Sequence, residues 1–151
     1  MPYRLFFLPL GMDSRKPYIL LAEDDEDDQE LLREVLAAEL PEVDLLIVSD
    51  GSDVVEYLKN CHKDELPLLI LLDFNMPRMG AESTLKFLCG DFRYDTLPKM
   101  VWSTSNRAED VHVSTRWGAT HYFIKPYSMD GYSQIVKRIL DTARFHLSMR
   151  P

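Results

Sequence analysis

Leu68-Leu-Ile-Leu-Leu72-Asp73-Phe74-Asn75-Met76-Pro77-Arg78-Met79-Gly80 reads as a buried strand that delivers a carboxylate into a loop. An apolar run without a polar interruption marks a strand covered on both faces, which is the habit of parallel sheets. Asp73 stands at its C-terminal end, where open α/β sheets bind their ligands. Tyr18-Ile-Leu-Leu-Ala22 repeats the pattern and runs into Glu23-Asp24-Asp25. Two neutral strands that end in carboxylates can place several acids in one crevice. That suits a divalent metal and phosphoryl chemistry.

Strand-like and helix-like segments alternate on both sides of this stretch. Strands are expected at 18–23, 44–48, 68–73, 98–103 and 120–125. The helix expected from Glu26 to about Leu40 gathers Leu31, Leu32, Val35, Leu36 and Leu40 on one face. Its first turn carries Glu26, Asp27 and Asp28, favourable against the positive end of the helix dipole, and these three read as a solvated acidic face. Further helices are expected at 51–61, 83–89, 109–117 and 131–147. The segment 109–117 has few apolar residues. The last helix is the clearest, with Tyr132, Ile135, Val136, Ile139, Leu140 and Ala143 forming its buried stripe. Alternating β and α units imply an α/β fold, a doubly wound five-stranded parallel sheet with right-handed crossovers.

The chain has 151 residues, room for one domain with a proper core. A net charge of −8 argues against a nucleic-acid surface, which needs a basic stripe. Cys61 and Cys89 are the only cysteines; neither has metal-ligand spacing, and both fit a reducing cytoplasm. Residues 1–16 form an N-terminal leader, apolar but broken by Pro9, and residues 17–151 the domain. Met12-Asp13 is read as an alternative expected start, with residues 1–11 then a leader. No stretch reaches the roughly 18 apolar residues of a membrane span, and a secretory signal fits badly.

Ser103 and Thr104 end the fourth strand, and a hydroxyl there faces the same crevice. Lys125-Pro126 ends the fifth, placing an ammonium at the rim; the bond before Pro126 is expected to be cis, to hold that lysine in a tight turn. Each feature alone has a bland reading, as turn residues or solvated charges. Their convergence at four strand ends carries the weight. Carboxylates about 4 Å apart repel by a few kcal/mol at an effective dielectric near 20. A hard cation removes that cost.

Ile19-Leu-Leu-Ala-Glu23-Asp24-Asp25, Leu72-Asp73-Phe-Asn75-Met-Pro77-Arg-Met-Gly80, Val101-Trp-Ser103-Thr-Ser and Gly118-Ala-Thr-His-Tyr122-Phe-Ile-Lys125-Pro126 together resemble the motifs of bacterial two-component response-regulator receiver domains. The resemblance spans about residues 17–147, with gaps of 49 from Asp24 to Asp73, 30 to Ser103 and 22 to Lys125. It is strongest toward small stand-alone regulators of the phytochrome-associated type. It implies a flavodoxin-like sheet in the order 2-1-3-4-5.

By this resemblance Asp73 is the phosphoacceptor. Asp24 would bind Mg²⁺ (or Mn²⁺) directly, Glu23 through water, and the Asn75 backbone carbonyl would complete the protein ligands, while Asp25 falls outside the acid pair. Ser103 takes the switch position, Lys125 that of the family's lysine, and Tyr122 that of an aromatic that turns inward on activation. Gly80-Ala81 departs from the family pattern, and Thr104 replaces a small residue, so it is expected to screen the phosphoryl group. The implied partners are a sensor histidine kinase or histidine phosphotransfer protein and a downstream protein target, with no nucleic acid and no membrane. Docking is expected around the fourth and fifth helices and the fifth strand, where a homodimer would also form. Two other readings compete. One is a phosphorylation-independent binding module. The other is an Asp-nucleophile phosphatase, an enzyme that would want a second Asp where Asn75 stands.

Overall fold

Every strand of the sheet is parallel to its neighbours, and their order is β2-β1-β3-β4-β5. The structure, a computed structural model, describes residues 16–151; apart from Lys16, the leader lies outside the described residues. The strands are β1 (Tyr18–Ala22), β2 (Asp44–Val48), β3 (Ile70–Asp73), β4 (Lys99–Ser103) and β5 (His121–Ile124). The helices are α1 (Glu26–Glu39), α2 (Gly51–Lys59), α3 (Ala81–Cys89), α4 (Ala108–Arg116) and α5 (Met129–Ser148). The receiver-like order is the one expected. β1 and β3 lie at the centre, so the two acid-ended strands are neighbours.

Side-chain alternation divides the core into two layers. Ile19, Leu21, Leu69, Leu71, Met100 and Trp102 point to one face, against Leu32, Leu36 and Leu40 of α1 and its C-cap and the expected stripe of α5. Leu20, Ala22, Ile70, Leu72 and Val101 point to the other, against Val54 and Leu58 of α2 and Leu85 and Leu88 of α3. Burying such a side chain stabilises the fold by about 1.5–3 kcal/mol. The central strands are buried on both faces, which explains their unbroken apolar runs.

α4 shows why its sequence signal was weak. Its inward residues are Asp110 and Ser114, not hydrophobes. Asp110 accepts the Ser105 hydroxyl at 2.6 Å, and the Ser114 hydroxyl donates to the Asp110 carbonyl at 2.8 Å. Polar groups can be buried there because each finds a partner.

Candidate functional site

β1, β3 and β5 end side by side with β4 at the C-terminal edge of the sheet, and their parity decides which side chains meet. Glu23 continues the series Ile19, Leu21; Asp73 continues Leu69, Leu71; Lys125 continues Phe123. All three therefore project toward the α1/α5 face. Ser103 and Tyr122 have the opposite parity, that of Val101, whose layer includes the partly buried Tyr122.

Glu23, Asp24 and Asp73 each offer a carboxylate oxygen, and these atoms lie within 4.8 Å of one another. Glu23 is fully buried and Asp24 exposed, so the cluster opens to solvent on one side. Hard oxygen donors on a partly open rim fit Mg²⁺, which keeps waters and prefers one or two carboxylates. The Asn75 backbone N–H donates to the Asp73 carboxylate, so the loop after β3 is tied to the acid it follows.

Lys125 balances the acids. Its ammonium lies 2.8 Å from Glu23 Oε2, 2.9 Å from Asp28 Oδ2 and 3.6 Å from Asp73 Oδ1. It also sits 4.8 Å from the centroid of the buried Trp102 ring. Burial pushes the Glu23 carboxyl up to about 7, against the pull of its hydrogen bond from Lys125. Burial likewise raises Asp73, with the Lys125 charge opposing and Asp24 reinforcing. Burial alone would lower Lys125, but hydrogen bonds to Glu23 and Asp28 and the Asp73 charge outweigh it and hold the ammonium above its ordinary range. A cluster of this kind holds excess negative charge at a cost that a cation relieves.

The residues expected to form the switch lie at the neighbouring strand ends. Ser103 is buried, and its hydroxyl oxygen accepts the Ser105 amide at 3.0 Å. Thr104 is exposed. Tyr122 is half-buried, its ring against Phe74 at 6.2 Å and its hydroxyl donating to the Ser105 carbonyl at 3.0 Å. The loop after β4 thus ties Ser103 to Tyr122 through a single residue.

Two expectations are corrected. The bond before Pro126 is not cis, since no described peptide bond is; three carboxylates hold Lys125 in place without it. Asp28 is not part of a solvated face, because the first turn of α1 lies against the β5 rim, where this side chain accepts both Lys125 and, at 3.1 Å, the Tyr132 hydroxyl of α5. Asp25 instead caps α1, accepting the Asp28 amide at 3.0 Å. Asp50, in the Ser49-Asp50-Gly51 turn that reads from sequence as a cap for α2, is that cap and is fully buried. It accepts the Ser52 amide and, at 2.6 Å, the guanidinium of Arg78, which has a left-handed φ of 60° in the loop after β3. A Ser-Asp-Gly turn before a helix signals the cap, but nothing local signals its partner.

A family profile described as the response regulator receiver domain matches residues 19–138. The chain belongs to that family. This receiver domain is 29% identical to the response regulator Rcp1 of Synechocystis sp. over 124 residues, covering 80% of this chain and 84% of that one. It is 34% identical to an uncharacterized response regulatory protein of Shewanella oneidensis, of which it spans 46%. Among solved structures, the phosphorylated cyanobacterial phytochrome response regulator RcpA matches at TM-score 0.75 and 30% identity, over 89% of this chain and 96% of that one. The Mn²⁺-bound form of Rcp1 matches at TM-score 0.73 and 28% identity, over 82% and 91%. The receiver domain is thus a response regulator of two-component signalling. Among the described residues no helix is long and apolar enough to cross a membrane.

Proposed function

We propose that this receiver domain accepts a phosphoryl group from a phosphohistidine onto Asp73. The donor is a sensor histidine kinase or a histidine phosphotransfer protein in the cytoplasm, and the result is an altered protein-binding surface rather than catalytic turnover. The observation that carries the reading is the meeting of Glu23, Asp24 and Asp73 within 4.8 Å, with the Lys125 ammonium beside them. The relation to Mn²⁺-bound Rcp1 and phosphorylated RcpA supports it.

Asp73 needs no general base, because a carboxylate is already ionised and nucleophilic once its neighbours are neutralised. One of its oxygens bonds to phosphorus as the P–N bond of the phosphohistidine breaks, and that electron pair returns to the imidazole nitrogen. Mg²⁺ or Mn²⁺, held by Asp24, Asp73 and the Asn75 carbonyl and through water by Glu23, would supply charge neutralisation on the phosphoryl oxygens. Lys125 offers the second positive charge. Ser103 turns its hydroxyl from the Ser105 amide toward the new phosphoryl oxygens, and Thr104 screens them from water. Tyr122 follows Ser103 through the shared Ser105 segment, a local charge change biasing a two-state surface. Ile124, Tyr127 and Phe145 expose apolar surface on β5, the loop after it and α5, where a downstream protein or a second copy would dock.

Incubation with acetyl phosphate and Mg²⁺ tests this. The expected product carries one acid-stable, hydroxylamine-labile phosphate, lost on Asp73→Asn. Phosphate retained by that variant removes Asp73 from its role.

A further inference from the structure

We infer that Asp28 is a positioning residue for Lys125, the carboxylate that keeps the ammonium compensated when Glu23 and Asp73 serve a divalent cation. This rests on the reading of Glu23, Asp24 and Asp73 as the cation site.

Three carboxylates surround Lys125 Nζ, and they are not equivalent. Glu23 and Asp73 belong to the cluster whose oxygens converge within 4.8 Å, and Asp28 does not. A dication drawn to that cluster competes with Lys125 for the same two carboxylates, Glu23 and Asp73, and repels it at short range. An ammonium that is only 7% exposed cannot turn to water for relief. Asp28 supplies the alternative. Its Oδ2 lies 2.9 Å from Nζ, closer than Asp73, and its side chain is 13% exposed.

The carboxylate is also fixed in direction. The Tyr132 hydroxyl donates to Oδ1 at 3.1 Å, which leaves Oδ2 for the lysine. The Asp28 amide is held by Asp25, so the first turn of α1 cannot swing away cheaply. α1, α5 and the end of β5 therefore meet at one side chain, 97 residues in sequence from the lysine it holds. Asp27, its neighbour, carries the same charge into solvent and provides the control.

Calorimetric titration of Mg²⁺ into the unphosphorylated full chain decides it. Asp28→Asn weakens Mg²⁺ binding on the order of 10-fold, as removal of an outer partner of a metal site does. Asp27→Asn, with the same change in net charge, costs less than about 2-fold, because an exposed charge is screened. Tyr132→Phe, which keeps the carboxylate but frees its rotamer, falls between them. Asp28→Glu restores part of the loss. In a Lys125→Met background Asp28→Asn has no further effect, since no ammonium remains to be compensated. Equal losses from Asp27→Asn and Asp28→Asn, wild-type affinity in Asp28→Asn, or an undiminished loss in the Lys125→Met background each overturns the inference and leaves the cation site standing. A wild-type chain that gives no Mg²⁺ response distinguishable from Asp73→Asn overturns the cation site itself, and this inference with it.

Discussion

Two lysines are buried in the sheet among the described residues, at opposite ends of it, and they are governed by opposite rules. Lys99 opens β4 at the N-terminal edge and Lys125 follows β5 at the C-terminal edge; they are 6% and 8% exposed. Lys99 donates to the carbonyl of Tyr94 and meets no ion-pair partner within range among the described residues. Burial lowers its pKa, with only weak opposition from Asp95 and Cys89. Lys125 experiences the same burial, yet its pKa rises, because Glu23, Asp28 and Asp73 surround it. Burial alone does not set a lysine's charge. The acids gathered around it do, and among the described residues the fold gathers them around Lys125 and not around Lys99.

The widest separation between the two edges is expected from Lys125→Met. It leaves Glu23, Asp28 and Asp73 without their cation, and breaking a buried pair in this way costs about 3 kcal/mol or more. Urea unfolding at pH 8 should show that loss, and a smaller one at pH 5, where Glu23 holds its proton. A variant as stable as wild type at pH 8 would mean that solvent already neutralises the acids.

Next in size is the response to Mg²⁺. At 100 times its dissociation constant the cation should stabilise the native state by about 2.7 kcal/mol, seen as a raised Tm, with most of the shift absent in Asp73→Asn. Equal shifts in both proteins would remove Asp73 from the cation site.

The pH dependence has a definite sign. Glu23 is raised from 4.5 to about 7, so the native state keeps a proton that the unfolded chain releases. Stability from this group is present in full below pH 4.5 and is lost as pH rises through 7. Lys125, raised above its ordinary value, keeps its proton across that window. The metal-free protein should therefore lose stability from pH 4.5 to 7. The Mg²⁺ contribution should grow over the same range, since the ligands must shed protons to bind. Parallel melting curves with and without Mg²⁺ at each pH would contradict this.

The smallest effect belongs to Lys99→Met. The Tyr94 carbonyl keeps the Leu97 amide as a partner, and a buried ammonium without a counter-ion contributes little. Stability should stay within about 1 kcal/mol of wild type, and the Mg²⁺ response should be unchanged. A weakened Mg²⁺ response would show that the two edges are coupled, and the contrast between the lysines would fail.

The same contrast separates what could be read in advance from what could not. The strand that ends in Asp73 is legible because six buried neighbours in a row leave only one way to cover them. α4 is barely legible, because Asp110 and Ser114 are buried through hydrogen bonds and break the apolar rhythm on which such reading depends. Glu23, Asp24, Asp73 and Lys125, which the structure brings together at strand ends, are legible through local motifs. Asp28 was misread because Glu26, Asp27 and Asp28 look alike along the chain, and only the third faces β5.

By its own pattern, then, the chain set the alternation of strands and helices and the delivery of Glu23, Asp24, Asp73 and Lys125 to strand ends. Those are local consequences of apolar periodicity and of loops that follow it. Tertiary structure alone decided that Asp28 shares the lysine with Glu23 and Asp73, that Tyr132 aims that carboxylate, and that Arg78 closes on buried Asp50. The physical reason is range. A charge chooses its partner by distance in space, and residues far apart in sequence acquire that distance only when the sheet and its covering helices have packed.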